Sequence, residues 1–368
     1  MKTSQKIIRV VGTRPQLMQI KPLSQELFKK GFNEVLVHTG QHYSDNMSGE
    51  QLNSLGIKNI HYNLEVGSSS HGEMFGKMIP RLETLYKEIR PDLVLADGDT
   101  NSTFAALFAA QRIGIPTIHA EAGLRDFDRA RPEELNRILS DHISDLNCAP
   151  VPRAMENLKK ENLSNRSVLC GDLLLDNFLL SEGNEDNSII DQIYPASIPP
   201  YLAMTLHRPE NTDMEEYDRF CNIMSMLEYT KYDIIFPVHP RTAPILSRYK
   251  EEFGLPKNLK IIDPISYPKM LSVIKNSVGV ITDSGGLPRE ACWMGKRVLM
   301  LFRVDTWHDL MQNNLAILGN GEKESLNEQF DKMINCSQPN KDFARSLFGN
   351  GQAASKIVDN ITKYFNQK

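Results

Sequence analysis

The sequence predicts an α/β fold of two Rossmann-like, parallel-sheet domains, and three observations support this. Short apolar runs alternate with amphipathic stretches along most of the 368 residues, as in βα units whose parallel sheet is covered by helices. The chain is long for one domain and suits two, each with its own core. Polarity rises through residues 181–200, which include acids, asparagines and three prolines. We therefore expect a first domain at 1–180, a linker at 181–200 and a second domain at 201–351.

Eleven strands are predicted from the apolar runs and the turn residues that bound them. The first domain carries six of them, near Lys6–Val11, Glu34–His38, Asp92–Ala96, Pro116–Ala120, Asp145–Cys148 and Ser167–Cys170. The second domain carries five, near Tyr201–Thr205, Asp233–Pro237, Leu259–Ile262, Ser277–Ile281 and Arg297–Leu301.

Composition and charge exclude several classes of protein. The chain is 40% hydrophobic and 24% charged, with a mean hydropathy of −0.37, as in soluble globular proteins. A net charge of −4 and a pI near 6.2 give no reason to expect nucleic-acid binding. The five cysteines are scattered without metal or redox spacing, so we expect reduced thiols in a cytoplasmic protein. No apolar run is long enough for a signal peptide or a membrane span.

Six of the eleven predicted strands are followed by ionisable or glycine-rich clusters. In open α/β sheets, ligands bind beyond the carboxyl ends of the strands. Ordinary loops supply polar residues, but they do not supply His and Arg so consistently. We therefore expect one active cleft between the two domains. The clusters lie at residues 12–15, 97–100, 121–125, 207–211, 239–241 and 283–286.

The stretch from Pro116 to Asp145 combines a strand with a helix that begins at Pro132. Alternation along the strand would place His119 and Glu121 on one side of the sheet. Apolar residues at helical spacing predict the buried face of the helix: Leu135, Ile138, Leu139, Ile143 and Leu146. The roughly opposite face would carry Glu133, Asn136 and Arg137. Two interpretations remain comparable, a proton-transfer site and a strand–helix unit with capping acids and a surface salt bridge.

Other clusters have a chemical interpretation and an ordinary one. Ser284-Gly285-Gly286 before a helix offers N–H groups suited to a diphosphate, although glycine pairs also form simple turns. Arg14 could clamp a phosphate or form a surface salt bridge. Asp97-Gly98-Asp99 is either a metal-binding pattern or a turn closed by glycine. His207 could be a general acid or base, or a loop histidine bonded to a carbonyl.

A zinc site at His38 and His42 is rejected. Their i, i+4 spacing suits a helix, but Gly40 between them favours a loop. The spacing therefore gives no reason to expect zinc at these two histidines.

Eight motifs together resemble the UDP-N-acetylglucosamine 2-epimerase family, of the non-hydrolysing type. They keep the family's order, span most of the chain and form a highly specific set. They are GTRP (12–15), TGQH (39–42), GDT (98–100), HAEAGLR (119–125), RPEELNR (131–137), HRPEN (207–211), VHP (238–240) and TDSGG (282–286). The resemblance implies a GT-B architecture, in which two Rossmann-like domains face each other across a cleft. It also implies that a C-terminal helix at 352–368 joins the first domain, and that the protein is a homodimer.

Carried over position by position, the resemblance implies that Asp99, Glu121 and Glu133 are acid/base carboxylates and that His207 acts beside them. It further implies substrate-binding roles for Arg14, Arg137, His239, Ser284, Gly285, Gly286 and Glu290. The implied reaction interconverts UDP-GlcNAc and UDP-ManNAc, by elimination of UDP to a 2-acetamidoglucal and readdition. This would supply precursors of surface polysaccharides. It needs a UDP-sugar, no cofactor and no metal.

This sequence departs from the family pattern at several positions. Gln19 replaces the lysine usual five residues after the GTRP arginine, and Leu287-Pro288-Arg289-Glu290 replaces Ile-Gln-Glu-Glu. Residues 305–309 replace a Thr-Glu-Arg-Pro-Glu loop, and residues 43–47 differ from members that a second UDP-GlcNAc regulates.

Four alternatives to this reaction therefore stay open. Trp307, with Arg129, Arg289 and Arg303, suggests a branch acting on UDP-2,3-diacetamido-uronic acids, whose carboxylate needs a cation. The others are a hydrolysing epimerase that releases UDP and ManNAc, a GT-B glycosyltransferase and an inactive UDP-sugar binder.

Overall fold

The computed structural model describes residues 4–41, 60–303 and 307–367, without the side chains of Arg14, Pro15 and Gln367. These residues form two compact units, and each is treated by itself. The first consists of residues 1–180 and 347–368, and the second of residues 181–346.

The first unit contains a seven-stranded parallel sheet in the order β3-β2-β1-β4-β5-β6-β7. Its strands are β1 Lys6–Val11, β2 Asn33–His38, β3 Tyr62–Asn63, β4 Leu93–Asp97, β5 Thr117–Ala120, β6 Leu146–Ala149 and β7 Ser167–Leu169. Its helices are α1 Arg14–Met18, α2 Ile20–Lys29, α3 His71–Ile89, α4 Asn101–Arg112, α5 Pro132–Ile143, α6 Pro152–Lys160 and α7 Leu173–Ser181, which reaches the boundary of the unit.

Both faces of this sheet are covered, as expected for parallel strands. On one face Ile8, Val10 and Val94 pack against α3 and α4. On the other face Ile7 and Leu95 pack against α2 and against a C-terminal helix, Ala353–Gln367. Residues 347–368, which include that helix, belong to the first unit.

The second unit contains a six-stranded parallel sheet in the order β10-β9-β8-β11-β12-β13. Its strands are β8 Tyr201–Thr205, β9 Asp233–Pro237, β10 Leu259–Ile262, β11 Gly279–Thr282, β12 Arg297–Met300 and β13 Ile317–Leu318. Its helices are α8 Ser188–Ile193, α9 Pro209–Thr212, α10 Tyr217–Glu228, α11 Ala243–Phe253, α12 Tyr267–Asn276, α13 Leu287–Trp293, α14 His308–Gln312, α15 Lys323–Asn335 and α16 Lys341–Ser346, and the C-terminal helix is α17. Two parallel-sheet α/β domains are thus confirmed.

Each of the eleven predicted strands is present within two residues of its expected ends. The two-residue strands β3 and β13 were not predicted, because two residues are too few to show a hydrophobic periodicity. The segment 181–200, expected to be a linker, carries α8, whose Ile190 is fully buried. The segment also donates the Asp186 N–H to the Pro268 carbonyl, so it packs within the second unit.

The predicted buried face of α5 is wrong at Leu135 and Leu139, although Ile143 packs against the core. Leu135 is 41% exposed and Leu139 is 37% exposed, whereas Asn136, Arg137 and Asp141 are buried. The apolar spacing is real, but the polar side of the helix is the side that meets the sheet. The physical reason lies in the ends of the strands that face α5. These strand ends carry carboxylates and carbonyls rather than an apolar surface, and buried carboxylates and carbonyls need hydrogen-bond donors.

A buried ion pair joins β1 to the end of β4. Arg9 and Asp97 are both fully buried, and the guanidinium donates to Asp97 Oδ2 over 2.9 Å from Nε and 2.7 Å from Nη2. Arg9 also donates to the carbonyls of Gln19 and Ile20. It therefore ties the start of α2 to the carboxyl edge of the sheet.

Replacing this guanidinium should destabilise the fold strongly. Arg9→Met leaves the Asp97 carboxylate buried without its cation, which typically costs roughly 3–5 kcal/mol in the free energy of unfolding. Urea unfolding followed by circular dichroism measures the effect. The control is Lys29→Met, which removes an exposed ion pair with Glu26 of 2.6 Å and should leave the midpoint almost unchanged. Equal midpoints for the two variants would contradict a structural role for Arg9.

Candidate active site

Asp99 lies on the turn after β4 and is held by α5. Its Oδ2 accepts from Arg137 Nη2 over 2.6 Å, and its main-chain oxygen accepts from the Asn136 amide over 3.1 Å. Burial raises the pKa of Asp99, and the negative charges of Glu121 and Glu133 raise it further, against the opposing charge of Arg137. Asp99 is therefore a carboxyl group with increased proton affinity.

Glu121 follows β5 directly and has a left-handed backbone, with φ of +62°. The strand ends at Ala120, so the alternation predicted for His119 and Glu121 does not reach Glu121. Glu121 Oε2 accepts from the Gln19 amide over 3.0 Å, and Oε1 lies 3.9 Å from Arg137 Nη2. Arg137 therefore interacts with both Asp99 and Glu121.

The neighbouring acids Glu133 and Glu134 in the first turn of α5 differ in environment. Glu134 is buried and accepts the N–H groups of Asp126 (2.8 Å) and Phe127 (3.2 Å). Glu133 is exposed, yet its charge acts on Asp99. Glu134 fixes the loop before the helix, while Glu133 stays available to a ligand.

Deletion of one carboxylate at a time should separate these two roles. Glu134→Gln keeps the shape of the side chain but removes the charge that two N–H groups share, so the thermal unfolding midpoint should fall. Glu133→Gln should leave the midpoint within error, since Glu133 is exposed. Differential scanning calorimetry compares them. A lower midpoint for Glu133→Gln alone would reverse the assignment.

In the second unit, Asp283 organises the ends of β8 and β11. Its carboxylate is fully buried and accepts the N–H groups of His207 and Arg208 and the amide of Asn211. His207 Nδ1 lies 3.0 Å from Asp283 Oδ1. Burial opposes ionisation of Asp283, but the hydrogen bond and charge of His207 and the surrounding donors hold its pKa below the ordinary value. Asp283 thus orients the His207 ring through Nδ1.

The loop Ser284–Gly286 lies between β11 and α13. The Ser284 N–H bonds back to Thr282 Oγ1, and Gly286 is the N-cap of the helix. The Trp307 indole N–H donates to the Gly285 carbonyl over 2.8 Å, and the Arg289 guanidinium stacks 4.1 Å above the Trp307 ring. The Gly285 carbonyl of this loop is therefore held by Trp307.

Two further predicted binding residues lie in this unit. Glu290, on α13, is buried and accepts from the Tyr267 hydroxyl over 2.6 Å. His239 is exposed, and its ring centroid lies 5.6 Å from that of His207. Both rings follow neighbouring strands, β8 and β9, of the same sheet.

The predicted site residues therefore form two groups. The first unit brings Asp99, Glu121 and Arg137 into contact, with Glu133 nearby. The second unit holds six more, namely His207, His239, Ser284, Gly285, Gly286 and Glu290. The side chain of Arg14, His42, the loop 43–47 and residues 305–306 lie outside the described parts of the chain.

Some residues were missed as site components. Asp283 is part of a strand-end cluster in the sequence, but nothing there shows that it collects the N–H groups of the β8 loop. Tyr267 and Glu134 carry no sequence signal for their contacts. A search of the described residues finds no group of three metal-ligating side chains and no helix long and apolar enough to span a membrane.

The two sheets and their strand-end clusters define a class, the two-domain α/β proteins of GT-B type. A family model described as UDP-N-acetylglucosamine 2-epimerase matches residues 25–362. The chain belongs to the UDP-N-acetylglucosamine 2-epimerase family, which is a family of isomerases.

Relatives and solved structures agree with this assignment. A Methanococcus maripaludis protein called a UDP-N-acetylglucosamine 2-epimerase homolog is 37% identical, over 96% of this chain and 98% of its own length. A Pseudomonas aeruginosa UDP-2,3-diacetamido-2,3-dideoxy-D-glucuronate 2-epimerase is 33% identical, over 97% and 99% of the two chains. The Methanocaldococcus jannaschii UDP-GlcNAc 2-epimerase, solved with UDP-GlcNAc and UDP, has a TM-score of 0.86 at 34% identity and covers 98% of this chain and 100% of that one.

Proposed function

We propose that this protein interconverts UDP-GlcNAc and UDP-ManNAc by eliminating and re-adding UDP. The observation that carries the proposal is the contact of Asp99 and Glu121 with one arginine, at the positions that match the family motifs. The raised pKa of Asp99 supports proton exchange with a carbon acid.

The chemistry of the substrate explains why these residue types are needed. C2–H of a hexosamine is not next to a carbonyl, so it is a poor carbon acid. Its removal requires UDP to leave from C1 in the same step or before it. Carboxylates must accept the C2 proton on one face and return a proton on the other, and cationic or N–H groups must stabilise the developing diphosphate charge.

Roles follow from these needs. Asp99, Glu121 and Glu133 exchange protons at C2, and Arg137 keeps Asp99 and Glu121 together. His207, oriented by Asp283, protonates and deprotonates the departing diphosphate oxygen or a sugar oxygen. Ser284, Gly285, Gly286 and Arg14 bind the diphosphate, Glu290 binds the ribose and His239 supports the sugar pocket.

The contacts of two arginines favour an uncharged sugar over a uronic acid. The Arg289 guanidinium is buried and stacks on Trp307. Arg303 donates to the Glu216 carboxylate. Arg289 and Arg303, two of the three cations proposed for a sugar carboxylate, thus already have partners, although Arg303 and Arg129 are both exposed.

Incubation with UDP-GlcNAc in D2O tests the reaction. The wild-type protein should form UDP-ManNAc with deuterium at C2, as read by proton NMR. Glu121→Gln and Glu133→Gln should each abolish C2 exchange, because a neutral amide cannot accept the proton. The affinity for UDP should stay within about threefold of the wild-type value in both variants, because neither substitution changes a residue proposed to bind UDP.

Other outcomes identify the alternatives. Accumulation of UDP and free ManNAc indicates a hydrolysing enzyme, and exchange only with a UDP-2,3-diacetamido-uronic acid indicates the other substrate branch. Turnover only with an added acceptor indicates a glycosyltransferase. UDP binding without exchange for any sugar indicates an inactive binder. Each of these contradicts the proposal.

We also infer a cytoplasmic homodimer. All five cysteines are free thiols, and the exposed Leu135 and Leu139 lie on one face of α5, which suits burial against a second copy. Sedimentation equilibrium should give about twice the chain mass of 41.7 kDa. Leu135→Asp/Leu139→Asp should reduce it to the single-chain mass, and a single-chain mass for the wild type at all concentrations would contradict the dimer.

A further inference from the structure

His119 is a fully buried histidine that the proposed mechanism leaves without a role. It lies in β5, opposite Ala96 of β4 and Asn147 of β6. Both ring nitrogens are engaged. Nδ1 lies 2.7 Å from Asp141 Oδ1, and Nε2 lies 2.6 Å from the Gly98 carbonyl oxygen.

The partners of the two nitrogens determine where the protons are. A carbonyl oxygen can only accept, so Nε2 must carry a hydrogen. Asp141 Oδ2 accepts from the Gly123 N–H over 3.0 Å and from Arg125 Nη2 over 2.7 Å. A carboxylate surrounded by donors and a guanidinium is ionised, so Nδ1 also carries a hydrogen.

The remaining charges around the ring agree with this. Burial opposes ionisation of Asp141, but the hydrogen bonds and charges of His119 and Arg125 hold its pKa below the ordinary value. Asp97, at the end of β4, also interacts with the charge of His119. Among the described residues, the cations of like sign near these two carboxylates are Arg125, which is paired with Asp141, Arg9, which is paired with Asp97, and Arg137, whose charge also acts on Asp141.

The Nε2 hydrogen bond fixes the turn that carries Asp99. Gly98 has φ of +71° and donates its own N–H to the Ala120 carbonyl over 3.0 Å. With His119 bound to its carbonyl, both peptide groups around Gly98 are held by β5. Asp99 follows immediately, and its main-chain oxygen is held by Asn136.

We propose that His119 is a positioning residue for the epimerisation, held as an imidazolium by Asp141 and the Gly98 carbonyl, and that it fixes the Asp99 carboxylate in place from below. This inference rests on the proposed function for its kinetic consequence, but not for the charge of the ring.

The charge is tested on the full-length wild-type protein with 15N-labelled histidine. Both ring nitrogens of one histidine should have the shifts of a protonated imidazolium at the pH of the activity assay, because both have acceptors as partners. This signal should be absent from the spectrum of His119→Gln. A neutral tautomer at His119, with one nitrogen lacking hydrogen, would overturn the inference.

The positioning role is tested by His119→Gln, whose amide can donate to Gly98 but cannot supply the charge or both bonds. We expect kcat to fall by roughly tenfold or more while KM stays within about threefold, because Asp99 is misplaced and substrate binding is not altered. His142→Gln is the control. His142 is an exposed histidine on α5, so its variant should keep kcat within about twofold. An unchanged kcat in His119→Gln would refute the positioning role.

Asp141→Asn covers the case in which His119→Gln fails to fold. It keeps the size of the side chain but removes the anion beside Nδ1. At the pH of the activity assay one ring nitrogen of His119 should then lack its hydrogen, and kcat should fall while KM stays within about threefold. An imidazolium signal that persists in Asp141→Asn would count against the inference. If the wild type exchanges C2 of no UDP-sugar, the proposed function fails, and the NMR signal alone then decides the charge of His119.

Discussion

The contact between Arg137 and Asp99 is the interaction on which the first unit's site depends. It requires α5 to turn its polar side inward, where Asn136, Arg137 and Asp141 meet the ends of β4, β5 and β6. Asn136 and Arg137 supply the donors that Asp99 needs, and Asp141 supplies an acceptor for the His119 ring and the Gly123 N–H. The exposed leucines of α5 are a consequence of this orientation rather than a packing defect.

The second unit also has a buried carboxylate at a strand end, and its donors come from a different source. There the strand-end carboxylate of Asp283 is fully buried and takes its donors from the loop after β8. In the first unit, Asp97 occupies the corresponding buried strand end and takes its donors from Arg9. In each unit a buried aspartate fixes the edge of the sheet, and a neighbouring residue, Asp99 or His207, is the one to which the proposed mechanism assigns chemistry.

The strands could be predicted from the sequence because fully buried parallel strands are short apolar runs bounded by turn residues. The grouping of Asp99, Glu121 and Arg137 was predictable in kind, since ligands collect at strand ends, but the family motifs were needed to select them. The buried side of α5 was not predictable from periodicity. Leu135 and Leu139 belong to an apolar stripe that predicts burial of their side of the helix. The opposite side is buried instead because it contacts polar groups on strands that are distant in the sequence. Glu134 and Tyr267 make contacts with loops and helices that no local pattern encodes.

Asp99 and Glu121 share the Arg137 guanidinium, and this affects the proton transfer on two faces of the sugar that epimerisation needs. Arg137 lies 2.6 Å from Asp99 Oδ2 and 3.9 Å from Glu121 Oε1, while Gln19 gives Glu121 a neutral amide donor instead of a second cation. When one of two interacting carboxylates takes up a proton, its repulsion of the other ends and the shared cation interacts more strongly with the remaining charge. In the proposed reaction, one group must accept the C2 proton on one face of the sugar while another returns a proton on the other face. Arg137 keeps Asp99 and Glu121 together on one cation, and burial raises the pKa of Asp99, which suits Asp99 to the proton-bearing role.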